Sequence, residues 1–335
     1  MKEGLNVIDL FSGIGGFSLG LQRAGFILER HYYSEVNRHA IANYRYNFRD
    51  GEYIGSVEDV RGGGFGRGEI DVITFGSPCQ DFSLSGKRAG LDGERSGLIR
   101  EAIRLVREVR PSVFIWENVK GVFSSNDGAD FAAIVQEFAN IGGYRLEWQL
   151  LNTRWFLPQN RERIYLVGHL AGRSRAGIFP IGEDDGDIIR TERRTSGEVC
   201  TALRANGTIG RDGTYIQQLN GSKESGGKQP YQQNRVYDVE GSSPALSCHK
   251  ADLMICQRPT ISANSFQENN FLGNIRRLTE IECERLQGFP DDWTRWGDYG
   301  GKVKEVAKYN RYKMIGNSVT VDVVAAVAKR LRFEY

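Results

Sequence analysis

Cys79 has the sequence surroundings of a catalytic nucleophile. It follows a short apolar run at residues 72–75, in the order Gly-Ser-Pro-Cys-Gln. The run predicts a buried strand, and ligands of parallel sheets bind beyond the carboxyl ends of the strands. A thiol in that position can attack an electrophilic carbon once its thiolate is stabilised. A lone cysteine is more often a small buried apolar residue, but the flanking Pro78 and Gln80 disfavour that alternative.

Charged residues at later strand ends can assist such a nucleophile. Glu117 ends the next predicted strand along the chain, so we expect its carboxyl group beside Cys79. An acid there can donate a proton or bind the edge of a base. Arg161 and Arg163 precede a further predicted strand, and alternate side chains of an extended chain point the same way. They can hold a carbonyl oxygen or a phosphate. The structural alternatives are a capping acid and an exposed, charged strand edge.

A glycine-rich turn near the N-terminus indicates a cofactor site. The run DLFSGIGG, residues 9–16, joins a predicted strand to a helix and lets the backbone approach a ligand closely. The dinucleotide pattern GxGxxG would need glycine at Ser18, so this is a poor nicotinamide loop. Glu35 ends the second predicted strand, where a carboxylate can accept bonds from both ribose hydroxyls. Asp59 follows a third apolar piece and can accept from an adenine amino group. For the loop alone, a tight turn followed by two surface acids explains the pattern as well.

The elements that must position these residues alternate along residues 1–170. Apolar runs predict strands at residues 6–10, 28–34, 72–75, 112–116, 146–151 and 164–167. Helical spacing predicts helices at residues 18–24, from residue 37, at 97–109 and at 130–141. This alternation predicts an α/β fold, with a doubly wound, mostly parallel sheet and helices on both faces.

Composition divides the chain into three segments. Residues 173–270 are rich in Gly, Ser, Asn, Gln and Arg, with few apolar runs, and they predict a second, smaller domain of short strands and loops. A disordered insertion is the alternative, which a strand predicted at residues 251–256 disfavours. A capping box, Thr279 with Glu282, opens a short helix, and a last helix at residues 321–331 should dock on the first domain. The predicted segments are residues 1–172, 173–275 and 276–335.

Bulk properties restrict the class of protein. The formal net charge of +2 is only mildly basic, so any surface that binds nucleic acid must be local. Five irregularly spaced cysteines predict no disulfide framework, and four scattered histidines predict no metal site. Asp9 interrupts the first apolar run, which excludes a signal peptide there, and no window reaches the length of a membrane span. We expect a soluble, cytoplasmic, monomeric enzyme.

Taken in order, the motifs resemble one family. FSGIGG, SPCQDFS, ENV, QNRER, RLTEIECERLQGFPDDW and IGNSV, at these spacings, resemble the cytosine-5 DNA methyltransferases over about residues 5–170 and 276–331. The resemblance implies a Rossmann-like methyltransferase domain and a β-rich target-recognition domain. It implies that Cys79 is the nucleophile, that Glu117 binds the pyrimidine, that Arg163 contacts the target base and that Arg161 supports that site.

The resemblance also implies a cofactor and a substrate. The cofactor would be S-adenosyl-L-methionine, released as S-adenosyl-L-homocysteine, with no metal. The residues expected to bind it are Phe11, Gly13, Gly15, Glu35, Val36, Asp59, Val60, Pro78, Asn317 and Val319. The residues expected to contact double-stranded DNA are Ser85, Lys87 and Arg88, in a basic glycine-rich loop that can close over phosphates, and Arg204 and Arg211. Two departures concern adenine binding. Glu58 precedes Asp59 where relatives usually carry glycine, and Val36 stands where many carry a large aromatic residue.

The implied reaction methylates carbon 5 of a flipped-out cytosine, within a specific DNA sequence, through a covalent Cys79 adduct. Three other functions compete with it. An RNA methyltransferase of related fold would have a shorter middle segment. A non-catalytic DNA-binding regulator would not need Cys79, Glu117 and Arg163 together. A nicotinamide oxidoreductase fits only the glycine loop and fails at Ser18. A bacterial or phage origin is expected, with a restriction endonuclease as a functional partner or with none.

Overall fold

A computed structural model describes residues 4–77, 96–184, 236–238, 243–244, 254–257 and 274–334. The strands of its first part are β1 (Gly4–Leu10), β2 (Ile27–Ser34), β3 (Glu52–Tyr53), β4 (Val72–Gly76), β5 (Val113–Val119), β6 (Tyr144–Asn152), β7 (Gln159–Asn160) and β8 (Glu162–Leu170). The helices between them are α1 (Gly16–Arg23), α2 (Arg38–Asn47), α3 (Ser96–Val109) and α4 (Ala129–Ala139). The strands and helices predicted in residues 1–170 are therefore confirmed, with bounds within three residues.

Seven of these strands form one sheet in the order β3-β2-β1-β4-β5-β8-β6. All neighbouring pairs from β3 to β5 are parallel, and β8 runs antiparallel to both β5 and β6. The predicted mostly parallel sheet is confirmed. Because β8 is reversed, its first residues lie at the edge where β4 and β5 end. Arg163 pairs there with Val119, the last residue of β5.

Alternate residues of the central strands fill two cores, one on each face of the sheet. On one face, Leu5 and Val7 of β1 pack with Phe17 of α1. On the other face, Ile8 and Leu10 of β1 pack with residues of α3 and α4. The period of two along a strand explains the alternation, and helices on both faces make the sheet doubly wound, as predicted.

The C-terminal part returns to the first face of this sheet. It contains α5 (Glu280–Leu286), β13 (Trp296–Asp298), β14 (Val303–Glu305), α6 (Lys308–Asn317) and α7 (Val321–Ala328). The capping box of Thr279 and Glu282 is confirmed. The last helix docks on α1 as predicted, and a Cβ atom on Gly20 would overlap the Val324 side chain. Only glycine lets the two helix backbones approach so closely.

Short strands also occur in the middle segment. They are β9 (Val236–Asp238), β10 (Ser243–Pro244), β11 (Met254–Gln257) and β12 (Asn274–Arg277). β9, β11 and β12 form a small sheet of their own, while β10 pairs with β7. Ile178 and Ile181 are buried in the first core, so residues up to that point pack on the catalytic part. The three segment boundaries stay predictions. No helix within the described ranges is long and apolar enough to cross a membrane.

Candidate active site

Glu117 lies beside the strand that leads to Cys79. In the β4–β5 pair, Gly76 is the register partner of Glu117. A Cβ atom on Gly76 would be 3.2 Å from Glu117 Oε2, so the missing side chain leaves room for the carboxylate. Glu117 is only 7% exposed. Glu117 therefore lies close to the carboxyl end of its strand, as predicted, two residues before β5 ends at Val119.

Ser77 fixes the exit of β4. Its Oγ accepts hydrogen bonds from Trp116 Nε1 and Asn118 Nδ2, both 3.0 Å long. These donors are the two neighbours of Glu117 on β5, so the chain leaving β4 is tied to both sides of the acid. Sequence reasoning missed Ser77, although its place in the Ser-Pro-Cys run was a signal. The predicted site residues Pro78, Cys79, Ser85, Lys87, Arg88, Arg204 and Arg211 lie outside the described residues.

The two arginines at the start of β8, Arg161 just before it and Arg163 within it, both face this edge, but they make different contacts. Arg163 Nε lies 3.1 Å from Glu117 Oε1, and its side chain is 19% exposed. Arg161 is more deeply buried and donates from Nη2 to the Ser318 carbonyl oxygen, 2.8 Å away. Weaker 3.5 Å contacts reach the Gly316 oxygen. Neither side chain is exposed, so the alternative of an exposed, charged strand edge does not apply. Arg163 faces the acid, and Arg161 anchors the C-terminal segment to it.

The electrostatic environment of Glu117 suits proton exchange with a base. Burial raises the pKa of its carboxyl group, and the charges of Arg163 and then Arg161 partly offset that rise. A carboxyl group with a raised pKa can hold a proton closer to neutral pH than an exposed one. It can therefore donate to a ring nitrogen when protonated, and it can accept from an amino group when ionised.

The glycine loop adopts the backbone conformation that its composition predicts. Phe11, Gly13 and Gly15 all have positive φ values, of 52°, 55° and 83°. A Cβ atom on Gly15 would overlap the ring of Phe48, whereas one on Gly13 would meet nothing within 4 Å. Gly15 is thus required by packing, and Gly13 borders open space. The open side of Gly13 is where a ligand can approach the backbone.

Glu35 joins this loop to the start of α2. Its Oε2 accepts from Gly13 N at 2.9 Å, and its Oε1 accepts from Val36 N and Asn37 N at 2.8 Å. A carboxylate offers about four acceptor positions, so one on Oε2 remains for a ribose hydroxyl. Val36 is 74% exposed next to it and offers an apolar surface for a flat ring.

The apolar piece that precedes Asp59 is not a strand. The third strand is the two-residue β3, and Asp59 lies six residues beyond its end, exposed in a turn. The Asp59 amide donates to the Ser56 oxygen at 2.9 Å. Val57 and Val60 are both buried in the second core, and their spacing reflects a turn that packs its apolar side inward. The Val60 side chain faces this core, and a cofactor role for Asp59 and Val60 stays a prediction.

The C-terminal motif meets the glycine loop. Asn317 ends α6 and is exposed, while Val319 is buried. A Cβ atom on Gly16 would be 2.7 Å from Val319 Cγ2, so Val319 packs directly on the start of α1. Since Arg161 binds the intervening Ser318, one arginine connects the acid of the sheet edge with the segment beside the loop.

The residues present can hold a cofactor that contains adenosine. Open space at Gly13, the remaining acceptor position of Glu35 and the exposed Val36 adjoin one another in sequence and structure. Among the described residues, no group of three or more His, Cys, Asp or Glu side chains can hold a metal ion. A buried polar cluster behind the loop could not be predicted from the sequence. Its signals were Asp9, an acid within an apolar strand, and Ser18, a hydroxyl at the position where the dinucleotide pattern has glycine.

Comparisons with known proteins agree with this geometry. Residues 5–332 match the family model described as C-5 cytosine-specific DNA methylase. The chain is 30% identical over 337 residues to the Type II methyltransferase M.Bsp6I of Bacillus sp. (strain RFL6), with 98% of each chain covered. It is 30% identical over 333 residues to the Type II methyltransferase M.HaeII of Haemophilus aegyptius, which covers 98% of this chain and 92% of that protein. The solved structure of the S. pombe Dnmt2 methyltransferase has the same fold, with a TM-score of 0.64 and 20% identity over 96% of both chains.

Proposed function

Since the chain belongs to the C-5 cytosine-specific DNA methylase family, we propose that it methylates carbon 5 of a flipped-out cytosine through a covalent adduct with Cys79. It is a DNA cytosine methyltransferase of the Type II kind. The covalent step, the base flipping and the residue roles are the proposed part.

One observation carries the proposal, namely the pairing of Gly76 with Glu117. Cys79 follows Ser77 by two residues, so its Cα atom can lie at most about 7 Å from that of Ser77. Ser77 itself is held by Trp116 and Asn118. A thiol on that short tether lies within reach of a ring bound to Glu117 and Arg163. The acid, the arginine and the strand exit that leads to the thiol all come from one sheet edge. Such convergence is what addition to a bound ring requires.

The chemistry of cytosine explains the residue types. Carbon 5 is a poor nucleophile, so the Cys79 thiolate first forms a bond to carbon 6 and pushes an electron pair towards carbon 5. Glu117 holds the ring nitrogen and the exocyclic amine, and it stabilises the charge that develops there. Arg163 keeps Glu117 in place and can donate a hydrogen bond to the carbonyl oxygen of the base. After carbon 5 has gained the methyl group, loss of its proton and expulsion of the thiolate restore the ring.

S-adenosyl-L-methionine, when bound, supplies the electrophilic methyl group on a sulfonium. We propose that Glu35 holds the ribose, that the Gly13 backbone and Phe11 border the ligand, and that Asn317 and Val319 close the pocket. The support is the open face of Gly13 and the single free acceptor position on Glu35. Val36 would then pack against the adenine in the place of the aromatic residue found in many relatives.

A base can reach this edge only outside the DNA stack, so the cytosine must be flipped. We propose that the loop with Ser85, Lys87 and Arg88 and the middle segment with Arg204 and Arg211 hold the duplex. The proposed partner is double-stranded DNA in the cytoplasm of a bacterium, and the protein acts as a monomer. A restriction endonuclease of the same specificity is the proposed functional partner, and the methylated cytosines of DNA from expressing cells would define the sequence that both recognise.

The decisive experiment traps the adduct. A duplex with 5-fluorocytosine at the target is incubated with protein and cofactor. It should give a covalent complex that persists in denaturing gels, because carbon 5 then carries fluorine in place of the proton that must be lost to release the thiolate. Cys79→Ala should abolish it. Cys283→Ala is the matched control, since Cys283 is a buried thiol in α5, and it should trap normally.

Two outcomes would contradict the proposal. Trapping by the Cys79→Ala protein would exclude this thiol as the nucleophile. Methyl transfer to transfer RNA in preference to duplex DNA would favour the RNA methyltransferase hypothesis instead.

A further inference from the structure

A cluster of five polar side chains lies buried behind the glycine loop. Each comes from a different element: Asp9 from β1, Ser18 from α1, His31 from β2, Tyr44 from α2 and Thr74 from β4. Asp9, Ser18, Tyr44 and Thr74 are 0% exposed, and His31 is 6% exposed. None of them is a predicted ligand contact, yet buried polar groups are costly unless every one of them is bonded.

Ser18 is the central member of this cluster. Its Oγ lies 2.9 Å from Asp9 Oδ2, 2.9 Å from His31 Nε2 and 2.7 Å from the Tyr44 hydroxyl. Thr74 Oγ1 donates to Asp9 Oδ1 at 2.9 Å, and the Tyr44 hydroxyl donates to Asp9 Oδ2 at 3.2 Å. His31 Nε2 also lies 2.6 Å from the Tyr44 hydroxyl. Ser18, Tyr44 and His31 have fewer protons than contacts, but with His31 Nε2 protonated as a donor each of the five side chains has at least one hydrogen bond around an ionised Asp9.

The elements that this cluster joins are those that carry the candidate site. Asp9 precedes Phe11 of the loop by two residues, and Thr74 precedes Gly76, the partner of Glu117, by two. Tyr44 and His31 pack against Phe48, the ring that lies where a Gly15 side chain would be. A displacement of the Ser18 side chain would therefore alter the positions of both the glycine loop and the strand that leads to Cys79.

We propose that Ser18 and Asp9 are positioning residues that hold the glycine loop in register with β4, so that cofactor affinity depends on a network no ligand touches. The proposal rests on the proposed cofactor site. It also gives a reason for serine at the position where the dinucleotide pattern has a third glycine, because its hydroxyl joins α1 to three other elements.

The charges around Asp9 give the proposal a distinctive pH signature. Burial raises the pKa of Asp9 to about 7, while its bonds from Ser18, Thr74 and Tyr44 lower it, and the charge of Glu35 adds to the rise. Burial lowers the pKa of His31 to about 4, so no cation within the cluster balances the acid near neutral pH. Because these bonds favour the ionised form, removing one should raise the pKa of Asp9 further.

The test compares two buried serines whose hydroxyl groups each lie 2.9 Å from a histidine ring nitrogen. Ser174 is also buried, its Oγ lies 2.9 Å from His169 Nδ1, and His169 Nε2 lies 2.8 Å from Glu147 Oε1, away from the loop. Dissociation constants for S-adenosyl-L-homocysteine are measured by titration calorimetry without DNA, together with melting temperatures. We expect Ser18→Ala to weaken binding about tenfold, equivalent to about 1.4 kcal/mol, and Ser174→Ala to leave it within twofold.

A second variant and the pH profile keep the test decisive if Ser18→Ala folds poorly. Thr74→Val removes one donor to Asp9 at nearly constant volume, and it should also weaken binding and move the pH midpoint of the dissociation constant upwards. Wild-type affinity in Ser18→Ala or Thr74→Val, or equal weakening in Ser174→Ala, would overturn the positioning role. Failure of the wild-type protein to bind the ligand at all would instead refute the proposed function, and the network proposal with it.

Discussion

Arg161→Lys should weaken cofactor binding although the substitution keeps the positive charge. The Arg161 guanidinium reaches the Ser318 carbonyl with one good 2.8 Å bond and the Gly316 carbonyl with two marginal 3.5 Å contacts. A lysine is a compact point donor and cannot reproduce the planar fork. The carbonyl oxygens that would lose their donor belong to Gly316 and Ser318, on either side of Asn317. Val319, which follows them, packs on the start of α1.

The size of the effect follows from the one strong bond. A hydrogen bond from a charged donor contributes about 1.5–3 kcal/mol, and each 1.4 kcal/mol corresponds to a factor of ten in affinity. If about half of that free energy is expressed in the position of the segment, the dissociation constant for S-adenosyl-L-homocysteine should rise roughly 3- to 13-fold. Titration calorimetry in the absence of DNA measures this directly.

Arg173→Lys is the matched control for that experiment. Arg173 also donates from Nη2 to a main-chain oxygen at 2.8 Å, that of Gly68, at a distance from both halves of the site. Its replacement should lower the melting temperature without changing ligand affinity. The reasoning fails if Arg161→Lys binds within twofold of wild type, or if both variants weaken binding equally.

Three further predictions test other parts of the structure. Glu117→Gln should lower the methylation rate about 10²- to 10⁴-fold, the usual contribution of a positioned acid, while DNA binding measured by gel shift stays within threefold; a mild rate defect would count against its role. Because the pKa of Asp9 is raised from 3.8 to about 7 in the folded protein, the stability it contributes is complete below about pH 4 and is lost as the pH rises through 7, by up to about 1.4 kcal/mol per pH unit. Asp9→Asn should remove that part of the slope in denaturant titrations, and an unchanged slope would refute the assignment. Gly20→Ala should destabilise the fold by about 1–3 kcal/mol through overpacking against Val324, and an unchanged melting temperature would show that α1 and α7 can separate freely.

Much of the fold followed from periodicity, because β1, β4 and β5 are buried on both faces and read as continuous apolar runs. Glu117 could be placed beside the exit of β4 because the carboxyl ends of parallel strands meet at one edge of the sheet. Arg163 lies at the start of β8 and reaches the same edge only because β8 runs antiparallel to β5. The reversal of β8 could not be predicted, since periodicity does not encode strand direction. Helix α6 was not predicted because its sequence is largely polar. The fold nevertheless buries one of its charged residues, Arg311, which donates a hydrogen bond to Glu284.

The apolar residues around Asp59 belong to a turn and not to a strand. Val57 and Val60 pack inward from a turn, and a buried turn and a short strand leave the same composition. The central position of Ser18 could be recognised only from distances in the structure, because its three partners come from three other elements spread over residues 9–44. Sequence alone could mark the serine as unusual, but it could not say what the hydroxyl binds.

The docking of α7 on α1 has a consequence for how the protein is made. Val323 and Val327 of α7 pack in the same core as Leu5 and Val7 of the first strand, and Val319 packs on Gly16. A nascent chain that has not yet reached Val319 lacks one wall of the pocket beside the glycine loop. The middle segment is synthesised between these two halves and is tethered at both ends, so it can vary in length and sequence between relatives while the joined termini keep the catalytic core closed.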